Sequence, residues 1–79
     1  MSSRKITPVF YQTLVKVFEA EGFTVSRHRG DHPILTKPEV SRPVVIKTSP
    51  RQVPITHIVT NLRTAGISRE RYFELLDQV

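Results

Sequence analysis

The chain has 79 residues, enough for a single domain with a small core and a thin margin of stability. It contains no cysteine, which excludes a disulfide, a thiolate nucleophile and a cysteine-based zinc site, and which suits a reducing cytosol. No apolar run is long enough to cross a membrane, and the basic N-terminus lacks the apolar stretch of a secretory signal. We therefore expect one domain over residues 1–79, working in the cytoplasm.

Positive charge dominates the composition. Lysine and arginine number 12 against 7 acidic residues, so the formal net charge is +5 and the pI is about 10.3. A surplus of this size on a small surface attracts polyanions, of which nucleic acid is the most common. The charge therefore favours a nucleic acid as partner.

The first predicted element is a helix from about Pro8 to Glu21. Thr7 is a suitable N-cap, and proline suits the first helical position. Gly22 can supply the left-handed residue that ends many helices. The apolar residues that recur at helical spacing on one face are Phe10, Leu14, Val17 and Phe18.

Three strands are predicted next, over 23–29 ("FTVSRHR"), 33–37 ("PILTK") and 43–47 ("PVVIK"). Gly30 marks the first turn, and Pro38 and Pro43 should limit the strand ends. The segment "TSPRQVP" should be a loop. Strict alternation along the first strand puts one set of side chains toward the helices and the other toward solvent. The first set is Phe23, Val25 and Arg27, and the second is Thr24, Ser26 and His28.

Two more helices complete the chain. The second should run from about Pro54 to Ala65 and stop at Gly66, and Ser68 should cap a short third helix over 69–79. The apolar residues expected to face inward are Ile55, Ile58, Val59, Leu62, Phe73 and Leu76. Short turns make neighbouring strands antiparallel, so the predicted fold is α+β, a three-stranded antiparallel sheet with helices on one face.

The segment "RHRGDH" is the strongest candidate for chemistry. His32 should begin the second strand, just after the turn at Gly30 and close to Arg27 and Arg29. Arginine binds phosphate oxygens in a forked geometry, and imidazole can take or give a proton near neutral pH. RNA cleavage needs a group to move the 2′-hydroxyl proton and cations to stabilise the developing charge. The alternative is that His32 only closes the hairpin.

The histidines of this segment could alternatively form a metal site. His28 and His32 could bind a metal ion with Asp31 as a third ligand, but a turn interrupts their spacing and no fourth ligand is evident. His57 is expected to be a partly buried helix residue. Lys37, Lys47 and the two arginines of the hairpin could form a positive sheet face that holds phosphates regardless of sequence.

Taken together, three segments resemble the HicA family of toxins, mRNA interferases of type II toxin–antitoxin systems. They are "FEAEGFTVSRHRGDH", "RPVVIKTSP" and "PITHIVTNLRTAGISRERYFELL". The resemblance implies a fold like that of double-stranded-RNA-binding domains, α-β-β-β-α with a short C-terminal helix. It also implies metal-independent cleavage of mRNA, with no cofactor, and a HicB-like antitoxin as partner. The family's single catalytic histidine matches His32, which follows Gly30 and Asp31.

Two positions depart from the family pattern. Asp31 stands where the family usually has serine, and Pro33 stands where a polar residue or a histidine is more common. A carboxylate beside the histidine favours the imidazolium form and repels phosphate. The departure predicts a weakened toxin or one with a different substrate preference.

Three functions therefore remain open from the sequence. The first is an endoribonuclease with His32 as general acid or base. Its predicted RNA-binding residues are Arg27, Arg29, Lys37 and Lys47. The second is a non-catalytic RNA-binding module of the same fold, and the third is an interaction protein whose basic surface pairs with an acidic antitoxin.

Overall fold

The computed structural model describes residues 4–79. In chain order its elements are β1 (Val9–Phe10), α1 (Tyr11–Ala20), β2 (Thr24–Arg29), β3 (His32–Lys37), β4 (Val40–Val45), β5 (Gln52–Val53), α2 (Ile55–Ala65) and α3 (Arg69–Gln78). Strands β2, β3 and β4 form a three-stranded antiparallel sheet in that order. The predicted α+β class, with α-β-β-β-α order and a C-terminal helix as in double-stranded-RNA-binding domains, is confirmed.

The core lies between one face of this sheet and the helices. Leu35 and Val44 face each other across β3 and β4, and both are buried. Helices α1, α2 and α3 cover this inner face with fully buried side chains, among them Leu14, Ile58 and Leu75. Burial of apolar side chains is the main stabilising term in so small a domain. On the opposite, outer face of the sheet most side chains are exposed, although Ile34 is buried.

The start of α1 was predicted wrongly. The helix begins at Tyr11 rather than Pro8, and its N-cap is Phe10 in an extended conformation, with no side-chain cap from Thr7. The reason is a second, two-stranded sheet in which Val9 and Phe10 pair with Val53 and Gln52. This pairing leaves Phe10 52% exposed instead of buried beside the other apolar residues of α1.

Both predicted glycine stops are confirmed. Gly22 has φ +100° and Gly66 has φ +72°, a region that side chains rarely adopt. The amide of Phe23 donates to the carbonyl of Phe18 at the end of α1. The amide of Ile67 donates to the carbonyl of Leu62 at the end of α2. These six-to-one bonds are the signature of a Schellman motif, which satisfies carbonyls that a helix end leaves free.

The strand boundaries differ from the predictions in informative ways. β2 begins at Thr24, one residue after its predicted start, and β3 begins at His32, as predicted for that residue and one residue before the segment "PILTK". β4 spans Val40–Val45 rather than 43–47, so Pro43 lies inside it instead of limiting it. A proline is tolerated there because β4 is an edge strand and the missing N–H can face away from β3. The expected loop over 48–54 contains β5.

The last two helices bury different residues from those expected. α2 begins at Ile55, with Pro54 as its N-cap, and Ile55 is 44% exposed. Ile58 and Leu62 are buried as predicted, Val59 is half-buried, and Asn61 is buried on the same side. α3 has ten residues, as many as α1.

Ser68 caps α3 as predicted, since its Oγ accepts from the amide of Arg71 at 3.1 Å. Phe73 is buried and Leu76 only partly so. Tyr72 and Leu75, which the pattern did not single out, are the residues of α3 that solvent cannot reach.

Candidate active site on the outer face of the sheet

A two-residue turn at Gly30 and Asp31 joins β2 to β3. Gly30 has φ +62°, and no other residue in the part of the chain that the structure describes, apart from two further glycines, has a positive φ. A positive φ at the first turn residue alone is typical of a type II′ hairpin, which suits the twist of the flanking strands. The turn therefore needs glycine at its first position and accepts many residues at its second. Asp31 occupies that second position and is exposed.

An extra residue in β2 decides which side chains reach the outer face. Val25 pairs with Leu35, whereas Arg27 pairs with Ile34, so a bulge lies between Val25 and Arg27. Residues directly opposite each other share a face of the sheet. Because Leu35 faces the core, Arg27 lies on the outer face with Ile34. Strict alternation, which grouped Arg27 with Val25, was wrong at this point.

Beyond the bulge, the pairing brings three polar side chains side by side on the outer face. Arg29 pairs directly with His32. On the other side of β3, Ile34 pairs with Val45. One residue further along, the amide of Ile46 donates to the carbonyl of Pro33, so the antiparallel register continues beyond the end of β4. Continuing this register by one residue puts Lys47 opposite His32. We call Arg29, His32 and Lys47 the basic row.

The imidazole of His32 is held in one orientation. The backbone amide of Thr48 donates to its Nδ1, with 3.3 Å between the nitrogen atoms. A ring nitrogen that accepts a hydrogen bond carries no hydrogen, so the neutral ring bears its hydrogen on Nε2. No hydrogen-bond partner of Nε2 is seen among the described residues, and Nε2 is not one of the buried polar atoms there, so it is accessible from outside the protein. It is therefore the nitrogen that His32 presents to a ligand.

The row next to it is more apolar. Arg27, Ile34 and Val45 lie side by side there and, with Pro43 and the end of β2, they line a shallow depression of about 310 Å³. Val45 is 37% exposed although it is apolar. An apolar floor bordered by arginines suits the sugar and base surfaces of a nucleic acid as well as its phosphates.

The cations of the outer face differ from Arg71 in whether a carboxylate is bound to them. Arg71 binds Glu21 at 2.8 Å and Glu74 at 2.9 Å, and these hydrogen bonds, chiefly that with Glu21, raise the pKa of its guanidinium. Within residues 4–79, no carboxylate forms an ion pair with a cation of the basic row or with Arg27. The cations of the outer face are therefore available to phosphates, whereas Arg71 ties α3 to the end of α1.

Lys37 lies elsewhere. It ends β3, at the opposite end of that strand from His32, and pairs with Val40. Its ammonium stands 5.7 Å from the centre of the Phe23 ring, a cation–π contact near the helix stop at Gly22. The structure does not bring Lys37 to the basic row, and its part in RNA binding stays a prediction.

Neither the hairpin nor any other part of residues 4–79 contains a cluster of three or more His, Cys, Asp or Glu side chains able to hold a metal ion. His28 pairs with Pro33, one residue along from the basic row, so His28, Asp31 and His32 do not converge. Over the same residues, no helix is both long and apolar enough to cross a bilayer.

A cavity at the edge of β4 was not predicted from the sequence. It has a volume of about 250 Å³ and is lined by Val45, Lys47, His57, Thr60 and Asn61. We call it the β4–α2 cavity. His57 is partly buried, as expected, but its Nδ1 is buried without a partner in the described part of the chain. The only sequence signal was the helical spacing of residues 57, 60 and 61, which places them on one side of α2.

Fold and site together define a small basic domain of the double-stranded-RNA-binding type with an open cationic sheet face. A family model described as the HicA toxin of bacterial toxin–antitoxin systems matches residues 11–67, from the start of α1 to just beyond α2. The chain therefore belongs to the HicA toxin family, and the resemblance seen in the sequence is confirmed. It is a toxin of a toxin–antitoxin system, and membership implies an antitoxin as its partner. Searches of curated proteins and of solved structures each found no match.

Proposed function

We propose that this toxin is an endoribonuclease that cleaves mRNA in the cytoplasm, without a metal ion, and that His32 is its catalytic residue. The observation that supports the proposal is the basic row. Arg29 pairs with His32 across β2 and β3, and Lys47, two residues beyond the end of β4, continues the register of that strand on the other side of His32. One phosphodiester laid across β3 would meet all three side chains.

Cleavage would follow from the chemistry of these groups. The imidazole would take the proton of the RNA 2′-hydroxyl, whose oxygen attacks phosphorus; the bond from phosphorus to the 5′-oxygen breaks, the imidazolium returns the proton to that oxygen, and a 2′,3′-cyclic phosphate remains. Arg29 and Lys47 would stabilise the negative charge that builds up on the phosphate oxygens. Arg27, one row away, would hold the next phosphate or sugar along the strand.

His32 would move protons at Nε2. With Nδ1 bound to Thr48, the neutral ring has its hydrogen on Nε2 and would donate a hydrogen bond to a phosphate oxygen. Transfer of a proton from Nε2 to the leaving oxygen would need the imidazolium, with Nδ1 also protonated and the Thr48 contact open. To accept the 2′-hydroxyl proton at Nε2, the ring must carry its hydrogen on Nδ1, and the contact with Thr48 must then open. The Thr48 amide is accordingly a positioning group that selects the starting tautomer.

The antitoxin is proposed to be HicB-like and to cover the basic row. An acidic surface on that partner would match the unpaired cations of the outer face and would exclude RNA from His32. Arg29→Glu should then weaken binding to both the antitoxin and RNA, which a competition assay with purified partner can measure.

The test is cleavage of an end-labelled single-stranded RNA in the presence of a chelator. His32→Ala should lower the rate about 100-fold or more, the usual contribution of acid–base catalysis, while RNA binding is retained. His28→Ala is the matched control, since it removes the other histidine of the same hairpin and should cleave normally. A substrate with a single 2′-deoxy sugar should resist cleavage at that position.

Two results would overturn the proposal. Undiminished cleavage by folded His32→Ala would remove His32 from catalysis. Binding without cleavage by the wild-type protein would favour the alternative, a non-catalytic RNA-binding module.

A further inference from the structure

We propose that the β4–α2 cavity binds one nucleobase of the RNA strand and prefers adenine, through the side-chain amide of Asn61. The inference rests on the proposed function, because it names the substrate feature that would sit beside the basic row. It starts from Lys47, which belongs both to the basic row and to the cavity lining.

The first observation is an unused amide. Asn61 is only 9% exposed, yet its side chain makes no hydrogen bond within residues 4–79. Neither polar atom of this amide is among the described buried atoms that lack a partner, so both are reached from the cavity, where water or a ligand can bond to them. The amide has one acceptor and two donor hydrogens, and it lines an open cavity. A ligand in the cavity would satisfy it.

The other lining residues narrow the ligand chemistry. The Thr60 hydroxyl already donates to the carbonyl of Thr56 at 2.9 Å, so Thr60 offers the cavity mainly its methyl group. Val45 adds apolar surface on the sheet side. His57 contributes part of its ring to the lining, whereas its Nδ1 is buried without a partner among the described residues. Apolar walls with a few polar groups suit a flat heterocycle whose polarity lies at its edge.

Size and charge agree with a base rather than a larger ligand. The cavity volume of about 250 Å³ is below the range typical of sites for drug-sized molecules, about 300–1,000 Å³. Lys47 is exposed at the rim, where it can hold the phosphate that links the base to its neighbour. No carboxylate lines the cavity. A polyanion can therefore approach without repulsion.

Adenine fits the amide best. The pair formed by N6–H₂ and N7 of adenine matches the acceptor and donor of an asparagine side chain, an arrangement worth about tenfold or more against a wrong base. Guanine presents two acceptors on the same edge and would leave one amide group unpaired. A base held here would place its neighbouring phosphate toward the basic row.

The test uses binding, so that it does not depend on cleavage. Folded His32→Ala protein would be titrated with labelled oligouridines that carry A, G, C or U at one central position. We expect the adenine oligomer to bind about tenfold more tightly than the others. Asn61→Leu keeps the side-chain volume and removes the amide, so the dissociation constants of the four oligomers should then agree to within about twofold. Thr60→Ala, a control at another residue of the cavity lining, should keep the adenine preference.

A second variant tests whether the base preference changes to a different base rather than disappearing. Asn61→Asp offers only acceptors and should shift the preference toward cytosine, whose N4 is a donor. Equal binding of all four oligomers, or an adenine preference that survives in folded Asn61→Leu, would overturn the inference. Loss of the preference in Thr60→Ala as well would also overturn it. Failure of wild type to cleave, with the adenine preference intact, would refute only the nuclease.

Discussion

Replacing Tyr72 by phenylalanine should stabilise the domain. Tyr72 is fully buried on α3, and its hydroxyl has no hydrogen-bond partner within residues 4–79. An unsatisfied buried hydroxyl costs about 1–3 kcal/mol, because it gives up its bonds to water. Tyr72→Phe removes that group and keeps the ring, whose centre lies 5.4 Å from that of Phe73. We expect the free energy of unfolding to rise by about 1 kcal/mol.

The difference should depend on pH in a defined direction. Burial raises the pKa of Tyr72 above its ordinary value, an effect that the charge of Arg4 opposes in part. A group whose pKa is higher in the folded than in the unfolded state stabilises the fold less as pH rises through the unfolded value, here 10.0. Wild type should therefore lose stability above that pH, and the advantage of Tyr72→Phe should grow.

Urea unfolding followed by circular dichroism at pH 7 and above pH 10 measures both effects. A gain of about 1 kcal/mol corresponds to a rise of about 4–8 °C in the melting temperature of a domain this small. Tyr11→Phe is the control, because Tyr11 is the other tyrosine and is only partly buried. A clear loss of stability in Tyr72→Phe, or an advantage that stays constant with pH, would refute the reasoning.

Three further predictions concern a cap and a turn. Ser68→Ala removes the oxygen that accepts from the Arg71 amide and should cost about 1 kcal/mol in denaturant unfolding; no loss would mean that water replaces the cap. Gly30→Ala should cost about 1–2 kcal/mol through its φ alone, since an added Cβ meets no atom within 4 Å, and a larger loss would contradict this account. Asp31→Ser should leave stability within about 0.5 kcal/mol yet tighten RNA binding, and unchanged affinity would show that Asp31 does not repel phosphate.

Local chemistry explains what could be predicted from the sequence. Gly22, Gly66 and Ser68 act on the backbone within a few residues, so their roles as helix ends and cap followed from their identity. The β2–β3 hairpin was equally local, because Gly30 and the flanking residues are sufficient to define its turn. A tight turn at Gly30 necessarily brings His32 close to Arg29, so the sequence was sufficient to predict that they are neighbours.

The features that were missed depend on residues far apart in the chain. Phe10 appeared to continue the apolar face of α1, but it pairs with Gln52, more than forty residues later. The β4–α2 cavity exists only because α2 packs beside β4, so no local pattern could show that Asn61 lines it. The placement of Lys37 at the far end of β3 likewise follows from the sheet and not from its charge.

The bulge between Val25 and Arg27 makes the length of β2 a determinant of the site. Its side-chain identities alone do not decide which of them meet a ligand. If Ser26 formed a regular pair in the ladder, strict alternation would turn Arg27 and Arg29 over to the helix side, whereas deletion of Ser26 would let Arg27 follow Val25 directly and keep both arginines on the outer face. A scan of substitutions would not detect this dependence, whereas insertion of one residue after Ser26 would, because it reverses the faces of the residues that follow. Variants of this toxin should therefore be compared by the number of residues in this strand as well as by their kind.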